Sequence, residues 1–279
     1  MTEFENELTI DYILSLPMEF EKYFDYDLYV SNHNKNKVIS ICLFNKNVNV
    51  NETEENDPFY FKEKYLKKLF PLVDKMNKTE YGVNIFTEEK FKDLLNMNNV
   101  NVYIMKHSLG ALGSLWRFLS IDFHEEVLFC DIDEDELNPY LLNSKNTSRY
   151  LSHGVDDYIV CKKPLSKKYS PILAGLWKLK KEDFPFNMKE LICKFFYHQL
   201  HNQSKERDLI FNEAYDHFNY GFGNNPINYG TDERFIAKII YFYLVKNGKL
   251  DTYYRCFKNK ENLEDIEYCK KYNNKVNYI

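Results

Sequence analysis

The sequence predicts an α/β fold: a single domain with a mixed, mostly parallel sheet flanked by helices. Three observations lead there. The apolar runs at 38–44, 81–86, 100–105 and 127–130 are nearly continuous, as in strands covered on both faces. Segments with helical spacing separate them. Strand and helix alternate through the first half of the chain, the order that gives parallel pairing through crossover helices.

Taken in order, residues 1–36 are polar and aromatic-rich without a clear period. They read as an N-terminal extension packed on a main domain at 37–258, with a charged, aromatic tail at 259–279. Val38-Ile39-Ser40-Ile41-Cys42-Leu43-Phe44 is the first buried strand, and a polar loop at 45–57 leaves its carboxyl end. The spacing over 59–76 predicts a helix with Tyr65, Leu66, Leu69, Phe70 and Val73 on one side. A short strand at 81–86 precedes Thr87, which is expected to cap a helix through Phe91, Leu94 and Leu95. A third strand at 100–105, a helix at 110–121 and a fourth strand at 127–130 follow. The second half is less regular. Strands are expected at 158–161 and 172–177, and amphipathic helices at 188–200 and 233–245, the latter stopped by Gly248. A short terminal helix is expected at 264–268.

Composition narrows the function classes. With 37 basic and 42 acidic side chains the net charge is −5, and no basic tract is present, which argues against general nucleic-acid binding. The six cysteines are scattered without a Cys-x-x-Cys pair, the usage of reduced thiols in a cytosolic-type compartment. Residues 1–7 are acidic and lack the apolar core of a signal peptide. No run approaches the roughly 18 apolar residues of a membrane span. A cytoplasmic protein is expected. The abundance of Asn, Lys, Tyr, Phe and Ile beside 9 Gly and 8 Pro suits an AT-rich genome, as in some protists and large DNA viruses, so for a viral protein the compartment is the host cytoplasm.

The residues that point to chemistry cluster after the fourth strand. Asp131-Ile132-Asp133 places two carboxylates one residue apart where a buried strand ends. In open α/β sheets ligands bind beyond the carboxyl ends of strands. On extended chain the two side chains share a face and can converge on one oxygen-liganded Mn²⁺ or Mg²⁺, which in turn can hold a diphosphate. The bland alternative is an acidic loop capping a helix. Arg117, beside Trp116 on the preceding helix, can pair with phosphate, sugar hydroxyl or carboxylate through a planar fork. Gly175, in the apolar run Leu173-Ala174-Gly175-Leu176-Trp177, marks a bulge or a close approach to the backbone. Lys178, Lys180 and Lys181 read as a solvated charge run. Thr231 is a helix N-cap followed by Asp232 and Glu233 in the first turn, where carboxylates suit the helix dipole. His198 and His201 lie three apart, without a metal-site motif, and His217 adjoins a Gly/Asn-rich loop at 219–225. The sequence lacks Gly-x-Ser-x-Gly, Gly-Lys-Ser/Thr and Gly-x-Gly-x-x-Gly signatures, which argues against a serine hydrolase, a nucleoside triphosphatase and a dinucleotide oxidoreductase.

In order and spacing these motifs resemble glycosyltransferases of the GT-A fold. They are similar to the retaining, glycogenin- and galactosyltransferase-like group and to related viral and bacterial enzymes. The likeness is carried by the strand ending at Phe44-Asn45, by Trp116-Arg117-Phe118 before Asp131-Ile132-Asp133, by Ala174-Gly175 and by Asp232-Glu233, and it spans about 38–244. It implies a GT-A-like single domain that moves a hexose from a nucleoside-diphosphate sugar, a UDP-hexose by the family's habit, to a glycan or protein hydroxyl with Mn²⁺ or Mg²⁺.

The resemblance also implies roles. Phe44 and Asn45 lie by the base or ribose, and Arg117 contacts the donor. Asp131 binds ribose or donor sugar and shares the metal, Asp133 is the main metal ligand, and Ile132 runs between them beside the donor. Gly175 lines the donor-sugar pocket, and Asp232 and Glu233 stand at the reacting centre. Three departures are visible. Glu233 replaces the usual Gln, Cys130 stands where Leu or Arg is frequent, and no His follows His217 to serve as the group's third metal ligand.

Two rival readings remain open. Haloacid-dehalogenase-like phosphatases also place Asp-x-Asp after a buried strand, although Asp135 stands here where they carry Thr or Val. A non-catalytic nucleotide-sugar-binding protein is the other. The aromatic tail suits a homodimer surface or packed core equally.

Overall fold

A computed structural model of the chain describes residues 9–44, 65–132, 147–153, 174–202, 231–256 and 276–278. Helix α1 (Ile10–Leu14) and a 3-10 turn (Glu21–Phe24) lead into β1 (Tyr26–Ser31) and β2 (Lys37–Leu43). Helix α2 (Lys67–Met76) precedes β3 (Gly82–Thr87), a 3-10 segment (Glu89–Leu94) and β4 (Val100–Met105). A long 3-10 helix (Gly110–Asp122) then delivers the chain to β5 (Glu126–Cys130). After β6 (Thr147–His153), β7 (Leu176–Lys180) and α3 (Met188–Asn202) come α4 (Thr231–Phe235), a π-helical turn (Ile236–Tyr241) and α5 (Phe242–Lys246). Strands β8 (Leu250–Cys256) and β9 (Val276–Tyr278) close the described chain.

Among the described residues the strands form one mixed sheet in the order β1-β4-β3-β2-β5-β7-β6-β8-β9. Its heart is parallel: β2 pairs with β3 and β5, and β3 with β4. On either side β1 runs antiparallel to β4 and β7 antiparallel to β5.

The four parallel strands are largely apolar and buried because both of their faces are covered. On one face Ile39, Ile41, Val83, Ile85, Leu128 and Cys130 pack with Leu66, Leu69 and Val73 of the α2 segment. On the other, Val38, Phe86, Val127, Phe129 and Trp177 pack with Leu115, Trp116, Phe118 and Leu119 of the 3-10 helix and with Leu191, Ile192 and Phe195 of α3. A sheet between two helical layers is the mixed α/β arrangement that the periodicity predicts.

Several local expectations are corrected. Thr87 does not cap a helix: it ends β3, and its hydroxyl donates to the Leu43 carbonyl at 2.9 Å. The following turn starts after Glu88 and is 3-10. Phe70, expected on the buried side of α2, is exposed, while Leu72 and Met76 are buried. The helix expected at 110–121 is present, in 3-10 form. Ala174 and Gly175 form a turn before β7 rather than a strand interior. Lys178 is not part of a solvated run: it is fully covered, 3.8 Å from buried Glu126. The N-terminal stretch supplies β1 to the sheet, and β6 and β8 are strands that periodicity did not mark. The expected loop at 45–57, strand at 158–161, Gly/Asn-rich loop with His217 and helix at 264–268 lie outside the described residues.

Candidate functional site at the carboxyl ends of β2 and β5

Strand order creates the site. From β2 the chain moves to β3 and then β4 on one side, and β5 returns to the other side of β2. The region beyond the carboxyl ends of β2 and β5 is therefore a topological switch point, the place where open α/β sheets bind ligands.

Alternation decides which side chains enter it. In β2, Ser40 and Cys42 share with Val38 the face covered by the 3-10 helix, and Phe44 continues it. In β5, Val127 and Phe129 point the same way, and Asp131, the next residue in that series, meets Arg117 of the 3-10 helix. Leu128, Cys130 and Ile132 take the opposite face. The Ile132 side chain is thus buried in the other core layer, away from the face of Asp131 and Arg117 where a donor contact is expected.

Arg117 is the centre of the arrangement. Its Nη1 donates to Asp131 Oδ1, and its Nη2 donates to Asp232 Oδ2 at 2.9 Å. The side chains of Arg117 and Asp232 are 3% and 12% exposed, whereas that of Asp131 is 47% exposed. A buried guanidinium therefore ties the end of β5 to the first turn of α4 and leaves one carboxylate facing outward. Burial by itself would lower the Arg117 pKa. The charge of Asp131, the Cys42 thiol and Asp232 more than reverse that, and the group stays cationic. Arg117 Nε and Trp116 Nε1 are buried without a hydrogen-bond partner among the described residues.

Two glycines are required by close approach. A Cβ on Gly175 would collide with Asp131 Oδ2, and the Gly175 carbonyl accepts from the Asp131 amide at 2.7 Å. A Cβ on Gly113 would collide with the Phe44 ring, which packs edge-on to Trp116 at 5.9 Å between centroids. Cys42 lies beside the cluster, its Sγ 3.7 Å from the Ser114 carbonyl. Burial first, then Asp131 and Asp232 against the opposing Arg117, push its thiol up to about 12, so it is a poor nucleophile.

The structure thus brings Phe44, Arg117, Asp131, Gly175 and Asp232 to one place. Glu233 follows Asp232 in the first turn of α4. Asn45 and Asp133 lie outside the described residues. Sequence reasoning passed over Ser40, Cys42 and Gly113. A polar residue inside an apolar strand was the available signal for Ser40, and its alternation with Phe44 for Cys42. His198 has a packing role, edge-on to Tyr12 with its Nδ1 3.3 Å from the tyrosine hydroxyl.

Of the two carboxylates on Arg117, Asp131 is the one that keeps a side toward solvent. Hard carboxylate oxygens suit Mg²⁺ or Mn²⁺. No group of three or more His, Cys, Asp or Glu side chains with metal-site geometry occurs among the described residues. No described helix is long and apolar enough to cross a membrane. In comparisons with protein-family models, curated proteins and solved structures, none matches this chain.

Proposed function

We propose that the chain is a metal-assisted glycosyltransferase of GT-A-like architecture that takes a nucleoside-diphosphate hexose, most simply a UDP-hexose, as donor. One observation carries the reading: a half-exposed carboxylate, Asp131, is clamped by buried Arg117 at the switch point of a mixed sheet. In this proposal Asp131 and Asp133 hold Mn²⁺ or Mg²⁺. The ion neutralises the charge that grows on the diphosphate as it leaves. Phe44 and Asn45 border the base and ribose, and Gly175, in close contact with Asp131, lines the donor-sugar pocket. Arg117, with both terminal nitrogens on carboxylates, acts as a positioning residue rather than a direct donor contact. Asp232 fixes Arg117 from the α4 side, and Glu233 is the carboxylate assigned to orient the acceptor hydroxyl or accept its proton.

The phosphatase alternative needs Asp131 as a free nucleophile. Its Oδ1 is engaged by Arg117, which leaves Oδ2 for attack on phosphorus, the same oxygen that the metal reading requires.

The test is metal-dependent release of UDP from UDP-hexoses, with and without sugar acceptors. Wild type turns over with Mn²⁺. Asp133→Ala keeps its unfolding midpoint and loses at least about a hundredfold in rate, the scale of a lost Lewis acid worth several kcal/mol. An unaltered rate in the variant removes the metal from the proposal, and no turnover with any donor removes the transferase.

A further inference from the structure

Ser40 is a hydroxyl in the middle of a strand covered on both sides, and it is fully buried. Its Oγ donates to the Arg117 carbonyl at 2.7 Å and lies 2.8 Å from Ser120 Oγ. Ser120 Oγ accepts from Asn84 Nδ2 at 3.1 Å, and the same Nδ2 lies 2.8 Å from His124 Nε2. An amide NH₂ has only hydrogens to give, so His124 Nε2 accepts and carries no proton. The ring's proton is then on Nδ1, and the ring's other hydrogen bond is to the Lys35 backbone.

Every direction in the chain is now fixed. Asn84 donates to His124 and to Ser120, Ser120 donates to Ser40, and Ser40 donates to Arg117. Asn84 Oδ1 is left buried with no partner among the described residues.

We propose that Ser40, Ser120 and Asn84 form a one-way hydrogen-bond chain that positions the Arg117 backbone, and that protonation of His124 reverses it. A proton on His124 Nε2 would set donor against donor. A half-turn of the Asn84 amide removes that clash by presenting the orphaned Oδ1 to His124 and Ser120 together. The Ser120 hydroxyl then donates to Asn84 and is withdrawn from Ser40. The Ser40 bond to the Arg117 carbonyl loses the donor that polarised it. The switch begins beside the amino-terminal end of β5 and is read at the residue that clamps Asp131 and Asp232.

The groups around His124 are accounted for. The His33 ring centroid is 6.4 Å away, His33 Nε2 faces the Val83 carbonyl at 3.2 Å, and the ring also interacts with the Asn84 side chain. Lys35 Nζ is held by the Thr79 and Tyr81 carbonyls at 3.1 and 3.0 Å. Glu125 accepts from Asn36 Nδ2 at 3.1 Å, and Asp122 accepts from the Met188 and Lys189 amides at 2.6 and 2.9 Å, with Lys181 3.6 Å from it. The Phe123 ring packs 4.8 Å from that of His124. Burial first and His33 second push the His124 pKa down to about 4.

The inference concerns the fold and does not depend on the proposed activity. The experiment is a pH titration of the isotope-labelled full chain by nuclear magnetic resonance. It follows the His124 imidazole, the Arg117 carbonyl carbon and the Phe118 amide nitrogen, which reports on the hydrogen bond to that carbonyl. The Arg117 and Phe118 shifts are expected to move with the same midpoint as His124. In Ser40→Ala, His124 still titrates and the Arg117 and Phe118 response is lost. Ser120→Ala interrupts the chain one link earlier, with the same expectation. Titration of His124 without a response at Arg117, a response that survives in the serine variants, or a His124 that stays neutral until the whole protein unfolds each overturn the proposal. The wild-type co-titration decides the matter alone if a variant fails to fold.

Discussion

Arg117 is the side chain on which most depends. Replacing it with Met removes the partner of Asp232, whose side chain is only 12% exposed, and strands a buried carboxylate. The expected loss is about 3–5 kcal/mol in urea unfolding. Asp131→Asn should cost only about 1 kcal/mol, because that carboxylate is half exposed and solvent compensates it. Equal costs for the two substitutions would contradict the clamp. Gly175→Ala places a methyl group against Asp131 Oδ2, with an expected loss of about 1–3 kcal/mol as the carboxylate is driven off Arg117. His124 sets a pH dependence. Its folded pKa of about 4 lies below the roughly 6.5 of an unfolded imidazole, so between those values the unfolded chain binds the extra proton. Its contribution to stability is complete above about pH 6.5 and is lost as pH falls toward 4. His124→Gln should flatten the unfolding free energy across that window; a profile as steep as wild type would assign the acid sensitivity elsewhere.

At the scale of elements, the end of α5 shows how local chemistry fixes a boundary. Gly248 has φ +62°, and the Lys249 amide donates to the Leu244 carbonyl at 2.8 Å, a left-handed glycine cap closed by a six-to-one bond. Gly248→Ala meets no neighbouring atom and should still lose about 1 kcal/mol from backbone strain alone, measurable by thermal unfolding. That stop was legible because glycine is the residue that adopts the geometry cheaply. Strands β2, β3, β4 and β5 were legible for a different reason: burial on both faces leaves continuous apolar runs. Strand β1 was not, because an edge strand with mostly exposed side chains, Leu28 and Tyr29 among them, carries no such run. Thr87 misled because Thr suits both a cap and a strand end, and the Leu43 carbonyl across the sheet took its hydroxyl.

At the scale of the whole molecule, the site is a consequence of strand order. The separate pieces, Arg117 on its helix and Asp131 after its strand, could be read from the sequence. Their tie to Asp232, 115 positions from Arg117, could not, since periodicity carries no information about which distant helix end arrives at a strand end. The Ser40–Ser120–Asn84–His124 chain was hidden for the same reason, its members coming from β2, the 3-10 helix, β3 and the turn before β5. The resulting geometry places the half-exposed carboxylate of Asp131 at the switch point of an α/β sheet, where the proposed function puts a cation carrying a phosphorylated ligand. The most direct test is the thermal unfolding of the full chain with UDP, GDP, CMP and their sugar conjugates, each with and without Mn²⁺. At about 100 times the dissociation constant a ligand adds roughly 2.7 kcal/mol, a rise of about 5 °C for a chain of this size. The account predicts that rise for one nucleotide class, UDP first, only when Mn²⁺ is present, and its loss in Asp131→Asn. An unchanged midpoint with every nucleotide, metal or not, would contradict it.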